Sequence, residues 1–218
     1  MLHQRTRDVY FTALRGVNKL NYWHWKLRAP RATTSLATHL HLGCGPKYLP
    51  GFINVDGNLF RKRDVWLDLR NGLPFASNSI ASIYSSHVFE HFYAEELAAL
   101  LRECHRVLAP GAFLRAVVPD MAAAARAYLS NDAAFFSDFP RAHRSLGGKL
   151  SNLLFCEGGH RQGLDFSYLE ELLLDAGFSD VWDLSRDETR FYAPEVFATL
   201  KREESGVARY SVFIESRK

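Results

Sequence analysis

The chain has 218 residues, 47% hydrophobic and 23% charged, a soluble globular composition that excludes fibrous and disordered classes. No apolar run approaches the roughly 18 residues needed to cross a bilayer, the N-terminus lacks the order of a secretory signal, and Cys44, Cys104 and Cys156 form no C-x-x-C pair. A single cytoplasmic domain without disulfides or a cysteine zinc site is therefore expected. The net charge of +3 is uneven, with +6 in residues 1–31 and −3 in the rest.

Residues 1–31 read as a basic helical arm, about Arg5 to Lys26, broken by Pro30 and interleaved with Tyr10, Phe11, Tyr22, Trp23 and Trp25. Such an arm either packs its aromatic side on the main domain or meets an anionic membrane surface, a phosphorylated ligand or nucleic acid. After a polar Thr-Thr-Ser patch, "THLHLGCGP" reads as a strand running into a tight turn. "GFINVDGN" is a second strand ending on Asp56, "DVWLDLRNG" a third ending at Asp68, and "SIASIYSS" a fourth. "YAEELAALLRECHRVLAPGA" is a helix stopped by Pro110-Gly111, and "AFLRAVVPD" a fifth strand. Residues 121–160 read as alanine-rich helix and then an irregular, glycine-containing stretch. "DFSYLEELLLDAGF" is a helix with a Ser167/Glu170 capping box, ended by Gly177. "SDVWDLS" and "RYSVFIES" are the last strands, with a short helix near Pro194 between them. Strands alternating with helices specify an α/β sandwich around a mostly parallel sheet.

Ligands of such sheets bind at the carboxyl ends of the strands. Gly43 and Gly45, Asp56, Asp68, Ser85-Ser86-His87 and Asp120 fall at five successive ends. The glycines let backbone approach a ligand or make an ordinary turn. Asp56 can accept from ribose hydroxyls or form a turn with Gly57. Asp68 can accept from an adenine amino group or act as a cap. His87-x-x-Glu90-His91 has the H-x-x-E-H form of a zinc peptidase motif. No third ligand on a facing helix is evident, so a pocket-closing role with no metal is expected.

"LHLGCGP", "NVD", "DLRNGLPFASNSIASIYSSHVFEHF" and "LRECHRVLAPGA" together resemble class I S-adenosylmethionine-dependent methyltransferases, closest to the methyltransferase type 11 group. The resemblance is strong over residues 39–120 and weaker to about 182. It implies a three-layer Rossmann-like fold with a seven-stranded sheet of order 3-2-1-4-5-7-6 and strand 7 antiparallel. It also implies S-adenosylmethionine as cofactor, with Gly43, Cys44 and Gly45 at its methionine side, Asp56 and Gly57 at the ribose, and Asp68 and Leu69 at the adenine. Ser85, Ser86 and His87 would border the cofactor and the acceptor.

The chain departs from that pattern. His41 stands where the family usually has an acidic residue, and Lys47 replaces a third glycine. Ten residues separate Gly45 from Asp56 and leave no room for a full crossover helix. Enzymes encoded beside polysaccharide genes often look like this, so a small-molecule or saccharide acceptor, methylated at oxygen, is expected. An oxygen acceptor needs a proton acceptor, for which His87, Asp120 and His160 are candidates. Residues 121–163, with Arg126, Arg141, Arg144, Lys149 and Arg161, form the expected acceptor region and suit a phosphorylated group. The rival reading is a noncatalytic S-adenosylmethionine-fold protein that uses its arm for a partner or membrane. A nucleic-acid substrate is disfavoured, because the fourth strand lacks the Asn/Asp-Pro-Pro-Tyr/Phe tetrapeptide of base-amino methylating enzymes.

Overall fold

A computed structural model describes residues 4–28 and 38–218. The expected break at Pro30 and the polar patch at 33–35 lie outside the described residues. In chain order the elements are α1 (Gln4–Arg28), β1 (His39–Leu42), β2 (Phe52–Asp56), β3 (Val65–Trp66), β4 (Ile80–Ser86), α2 (Ala94–Val107) and β5 (Leu108–Pro119). Then come α3 (Met121–Leu129), α4 (Leu146–Phe155), α5 (Phe166–Asp175), β6 (Asp180–Leu184), α6 (Pro194–Glu204) and β7 (Ser211–Arg217).

The strands form one seven-stranded sheet of order β3-β2-β1-β4-β5-β7-β6. Strands β1 to β5 pair in parallel, and β7 runs antiparallel to both β5 and β6. This is the Rossmann-like methyltransferase topology. Both faces of the sheet are covered. One carries Leu97, Leu100, Leu101, Cys104 and Val107 of α2 with Leu169 and Leu173 of α5. The other carries Phe197 and Leu200 of α6 with Tyr192 and Phe113. The central strands are therefore buried on both faces, and polar residues such as His41, Ser82 and Arg115 lie buried among their apolar neighbours.

Arg115 of β5 is fully buried in the second layer. It makes a forked bond to Glu204, at 2.8 and 3.0 Å, and reaches Glu215 at 3.1 Å. The two carboxylates compensate a charge that burial would otherwise make costly.

Several local expectations are corrected. The third strand is two residues long and ends at Trp66. Asp68 lies beyond it and caps the 3-10 turn Leu69–Asn71 through the Arg70 amide. Asp165, not Ser167, caps α5, accepting from the Tyr168 amide at 3.0 Å, while the Ser167 hydroxyl donates to Asp165. The carboxylate is the stronger acceptor at a helix N-terminus. The irregular stretch expected after α3 contains α4, capped by Ser145. Leu153 of α4 packs with Ala124 and Ala127 of α3 in a small separate core. The β1–β2 connection contains no helix, in agreement with its short length.

The arm's aromatic side packs on the domain. Tyr22 and Trp25 join the α2/α5 core. The Tyr10 hydroxyl donates to the Gly57 carbonyl at 3.2 Å and accepts from the Leu59 amide at 3.0 Å.

Candidate functional site

The turn after β1 folds back over the end of β2. The Gly43 and Cys44 amides donate to the Val55 carbonyl at 2.8 and 3.1 Å, and the Gly45 amide donates to Asp56 Oδ2 at 2.8 Å. Gly43 and Gly45 both have positive φ, at 65° and 52°. A Cβ on Gly43 would stand 2.4 Å from Val88 Cγ2, whereas one on Gly45 would meet nothing closer than 3.9 Å. Gly43 thus seals the turn against the loop after β4, and Gly45 leaves an open side to the strand ends. The other Asp56 oxygen, Oδ1, accepts from the Asn58 amide at 2.6 Å.

Cys44 is turned toward the Lys62 carbonyl, with Sγ 3.7 Å away. Burial, joined by the charges of Asp56 and Asp64, pushes its thiol up to about 12. On β4, Ser85 faces Leu42 of β1 in register, and its buried hydroxyl has no hydrogen-bond partner among the described residues. Ser86 ends the strand beside it.

At the far end of this edge, Arg70 forks onto the Asp68 carboxylate at 2.9 and 2.7 Å, and the Asp68 amide donates to Asn18 of α1 at 3.1 Å. Leu69 is buried in the main core. Phe11 of α1 lies so close over Gly57 that an added Cβ there would be 2.8 Å from its ring. No local sequence signal shows that the arm reaches Gly57 and Asp68.

His87, expected at the tip of β4, is there, with a left-handed φ of 54° that only the surrounding structure can hold. Its Nε2 contacts Ser211 Oγ at 2.9 Å and its Nδ1 lies 3.4 Å from Glu90 Oε1. His160 arrives on the loop after α4, with Nε2 3.9 Å from the same Glu90 oxygen. His91 stacks edge-on against His160, centroids 5.1 Å apart, and its Nδ1 contacts the Gly159 carbonyl at 2.8 Å. The Asp120 carboxylate lies 3.9 Å from Arg126. It caps α3 through the Ala123 amide at 2.9 Å.

Glu90 is 1% exposed, and neither carboxylate oxygen has a hydrogen-bond partner among the described residues. Burial alone would raise its pKa, but His87 beside it and the charges of His91 and His160 outweigh that and lower it to about 2. The pKa of His160 is lowered as well, since its own burial, with the charges of His91 and His87, outweighs the attraction of Glu90. A cavity of about 10 Å³, lined in part by Glu90, Met121, Leu153, His160 and Gln162, adjoins the pair. Two histidines and the carboxylate of the motif thus share one cluster with a residue 70 positions from Glu90. Sequence spacing cannot reveal that meeting, and the burial of Glu90 had no separate signal.

Residues 50–116 match the family model of the methyltransferase domain. No protein of curated function matches the chain. Among solved structures, the chain is similar to a Thermotoga maritima S-adenosylmethionine-dependent methyltransferase described as a possible histamine N-methyltransferase. Identity there is 16% and the TM-score 0.50, over 96% of this chain and 97% of that one. It is equally similar to a Haloferax volcanii protein solved in complex with a methyltransferase activator, at 14% identity and TM-score 0.50, covering 97% and 94%. The matched segment carries the methyltransferase-domain pattern, and the strand order with its antiparallel β7 gives the chain the class I methyltransferase fold.

Proposed function

We propose that the protein transfers the methyl group of S-adenosylmethionine to an oxygen of a small-molecule or saccharide acceptor. The observation that carries this reading is the single edge formed by the Gly43–Gly45 turn, Asp56 and the Ser85 hydroxyl, unpartnered among the described residues, at the carboxyl ends of β1, β2 and β4. These residues fit the cofactor. Backbone with an open side at Gly45 suits its amino-acid end, a carboxylate at the β2 tip suits ribose hydroxyls, and Ser85 has a hydroxyl to give. When bound, the cofactor supplies an electrophilic methyl on a sulfonium. The chain's own contribution is alignment and a site that holds the acceptor in line.

At the acceptor end, His160 and Glu90 form the polar wall that receives a hydroxyl. His87 is a positioning residue, held between Ser211 and Glu90, and Asp120 positions α3. Arg126, Arg141 and Arg144 of the 121–163 segment suit an acceptor that carries phosphate.

The outward side of α1 exposes Val17, Leu20, Trp23 and Leu27 beside Lys19 and Lys26. That pattern suits peripheral contact with an anionic membrane surface. No helix among the described residues is long and apolar enough to cross a membrane. The buried thiols of Cys44 and Cys104, in no disulfide, suit a cytoplasmic setting.

The test is release of S-adenosylhomocysteine across a panel of sugars, sugar phosphates and phenols, with wild type and His160→Ala. Turnover of one class, lowered in the variant, supports the reading. Turnover only with amines or nucleic acid removes it.

A second, noncatalytic reading is favoured by one observation, the seating of Phe11 on Gly57 at the expected ribose position. It predicts that full-length protein binds no cofactor and that Phe11→Ala does.

A further inference from the structure

We propose that Glu90, His91 and His160 form a binding site for a divalent transition cation of the zinc or manganese class. One donor atom from each lies within 4.8 Å of the other two. A tetrahedral shell with bonds of about 2.0–2.1 Å needs donors roughly 3.3 Å apart. The three must therefore draw in by an ångström or so, which rotation of two imidazoles and one carboxylate can supply.

The surroundings are built to present these groups. The 3-10 turn Phe89–His91 and the loop after α4 are tied together, with the Arg161 amide donating to the Glu90 carbonyl at 2.7 Å and the Gln162 side chain to the Phe92 carbonyl at 3.1 Å. His91 uses Nδ1 on the Gly159 carbonyl, which fixes the tautomer and leaves Nε2 as a ligand. The His160 ring is steadied by the Leu153 backbone. His87, anchored on Ser211, backs the carboxylate from the other side.

Glu90 supplies the second, independent observation. It is a buried carboxylate whose Oε1 has only the long approaches of His87 Nδ1 at 3.4 Å and His160 Nε2 at 3.9 Å and whose Oε2 has no hydrogen-bond partner among the described residues, an arrangement that burial disfavours and a cation satisfies. Two imidazoles and one carboxylate suit zinc or manganese better than magnesium or calcium, whose shells prefer oxygen. Three protein ligands leave a coordination position open. It would face the small cavity lined by Met121, Leu153 and Gln162. That cavity, of about 10 Å³, has room for about one water, so a water takes the open position.

The experiment is calorimetric titration of chelator-treated full-length protein with Zn²⁺, then Mn²⁺ and Mg²⁺, with Co²⁺ absorption as a reporter of ligand type. One equivalent of Zn²⁺ should bind at micromolar affinity or better, with Mg²⁺ much weaker. Affinity should fall in His91→Ala and His160→Ala by at least the roughly 10–100-fold that loss of an outer-shell partner costs, and persist in Cys156→Ser. The Co²⁺ spectrum should show no thiolate charge-transfer band. His160→Gln, a change on a loop, keeps the test valid should His91→Ala not fold by circular dichroism. Absence of Zn²⁺ and Mn²⁺ binding, survival of binding in the His160 variants, or a thiolate band lost with Cys156→Ser would overturn the proposal. Separate titration with S-adenosylhomocysteine keeps the two readings apart. If that compound fails to bind while Zn²⁺ binds, the methyl-transfer reading falls and the cation site stands.

Discussion

The Asp56 carboxylate holds the Gly45 amide at 2.8 Å, so the tip of β2 fixes the turn that follows β1. A second bond, from the Asn58 amide at 2.6 Å, fixes the next loop from the same side chain. Asp56→Ala leaves two amides without their charged acceptor. A loss of about 1.5–3 kcal/mol is expected if both are shielded from water, less where solvent replaces the carboxylate. Chemical denaturation of wild type and variant measures it. An unchanged midpoint and slope would show that the turn holds without Asp56.

Gly43 is constrained twice, by its φ of 65° and by Val88. Gly43→Ala should destabilise by the left-handed penalty of about 1–2 kcal/mol together with the clash. Val88→Ala in the same chain should recover the clash component only. A double-mutant cycle by thermal melting reads this out. Simple additivity of the two substitutions would contradict the contact.

Acid should act partly through Glu103. Burial raises this carboxyl's pKa, but the Arg106 hydrogen bond, the Leu73 amide and the Arg106 charge outweigh it and leave it lowered. A lowered folded pKa means stability present above the unfolded value of about 4.3 and lost as pH falls through the folded one. Glu103→Gln should flatten the stability–pH slope below about pH 4.3 and leave little pH dependence of its own near neutrality. An unaltered acid slope would remove Glu103 from the acid response.

Thiol chemistry should be selective. Cys44 is raised to about 12, chiefly by burial, and Cys104 is fully buried and raised further. Cys156 is partly exposed. With an aromatic disulfide reagent at pH 8, native protein should titrate one thiol promptly and three after denaturation. Prompt reaction of Cys44, located by peptide mapping, would contradict its placement.

Much of the architecture was legible because hydrophobic period and strand-end polarity agree. The runs around Leu40–Leu42 and Ile80–Ser86 are buried on both faces, and Asp56 sits at the strand end the sequence marks. Helix α4 was hidden because Gly147 and Gly148 fall in its first turn, where they mask the period of Leu146, Leu150, Leu153 and Leu154. Asp68 was read with the third strand because it directly follows the apolar run Val65–Leu67. The pairing with β2 stops at Trp66, and Arg70 takes the carboxylate. His160 could be suspected from its glycine neighbours, but its approach to Glu90 depends on the loop after α4, whose path the local sequence does not encode.

The measurement that bears most directly on the account is calorimetric titration of S-adenosylhomocysteine and S-adenosylmethionine into wild type and Asp56→Ala. The account predicts one site of micromolar affinity in the wild type and a loss of at least about tenfold in the variant, whose fold circular dichroism would show to be intact. Tenfold corresponds to about 1.4 kcal/mol. No heat with either compound in the wild type and in Phe11→Ala, or equal affinity in wild type and Asp56→Ala, would contradict the placement of the cofactor at the Gly43–Asp56 edge.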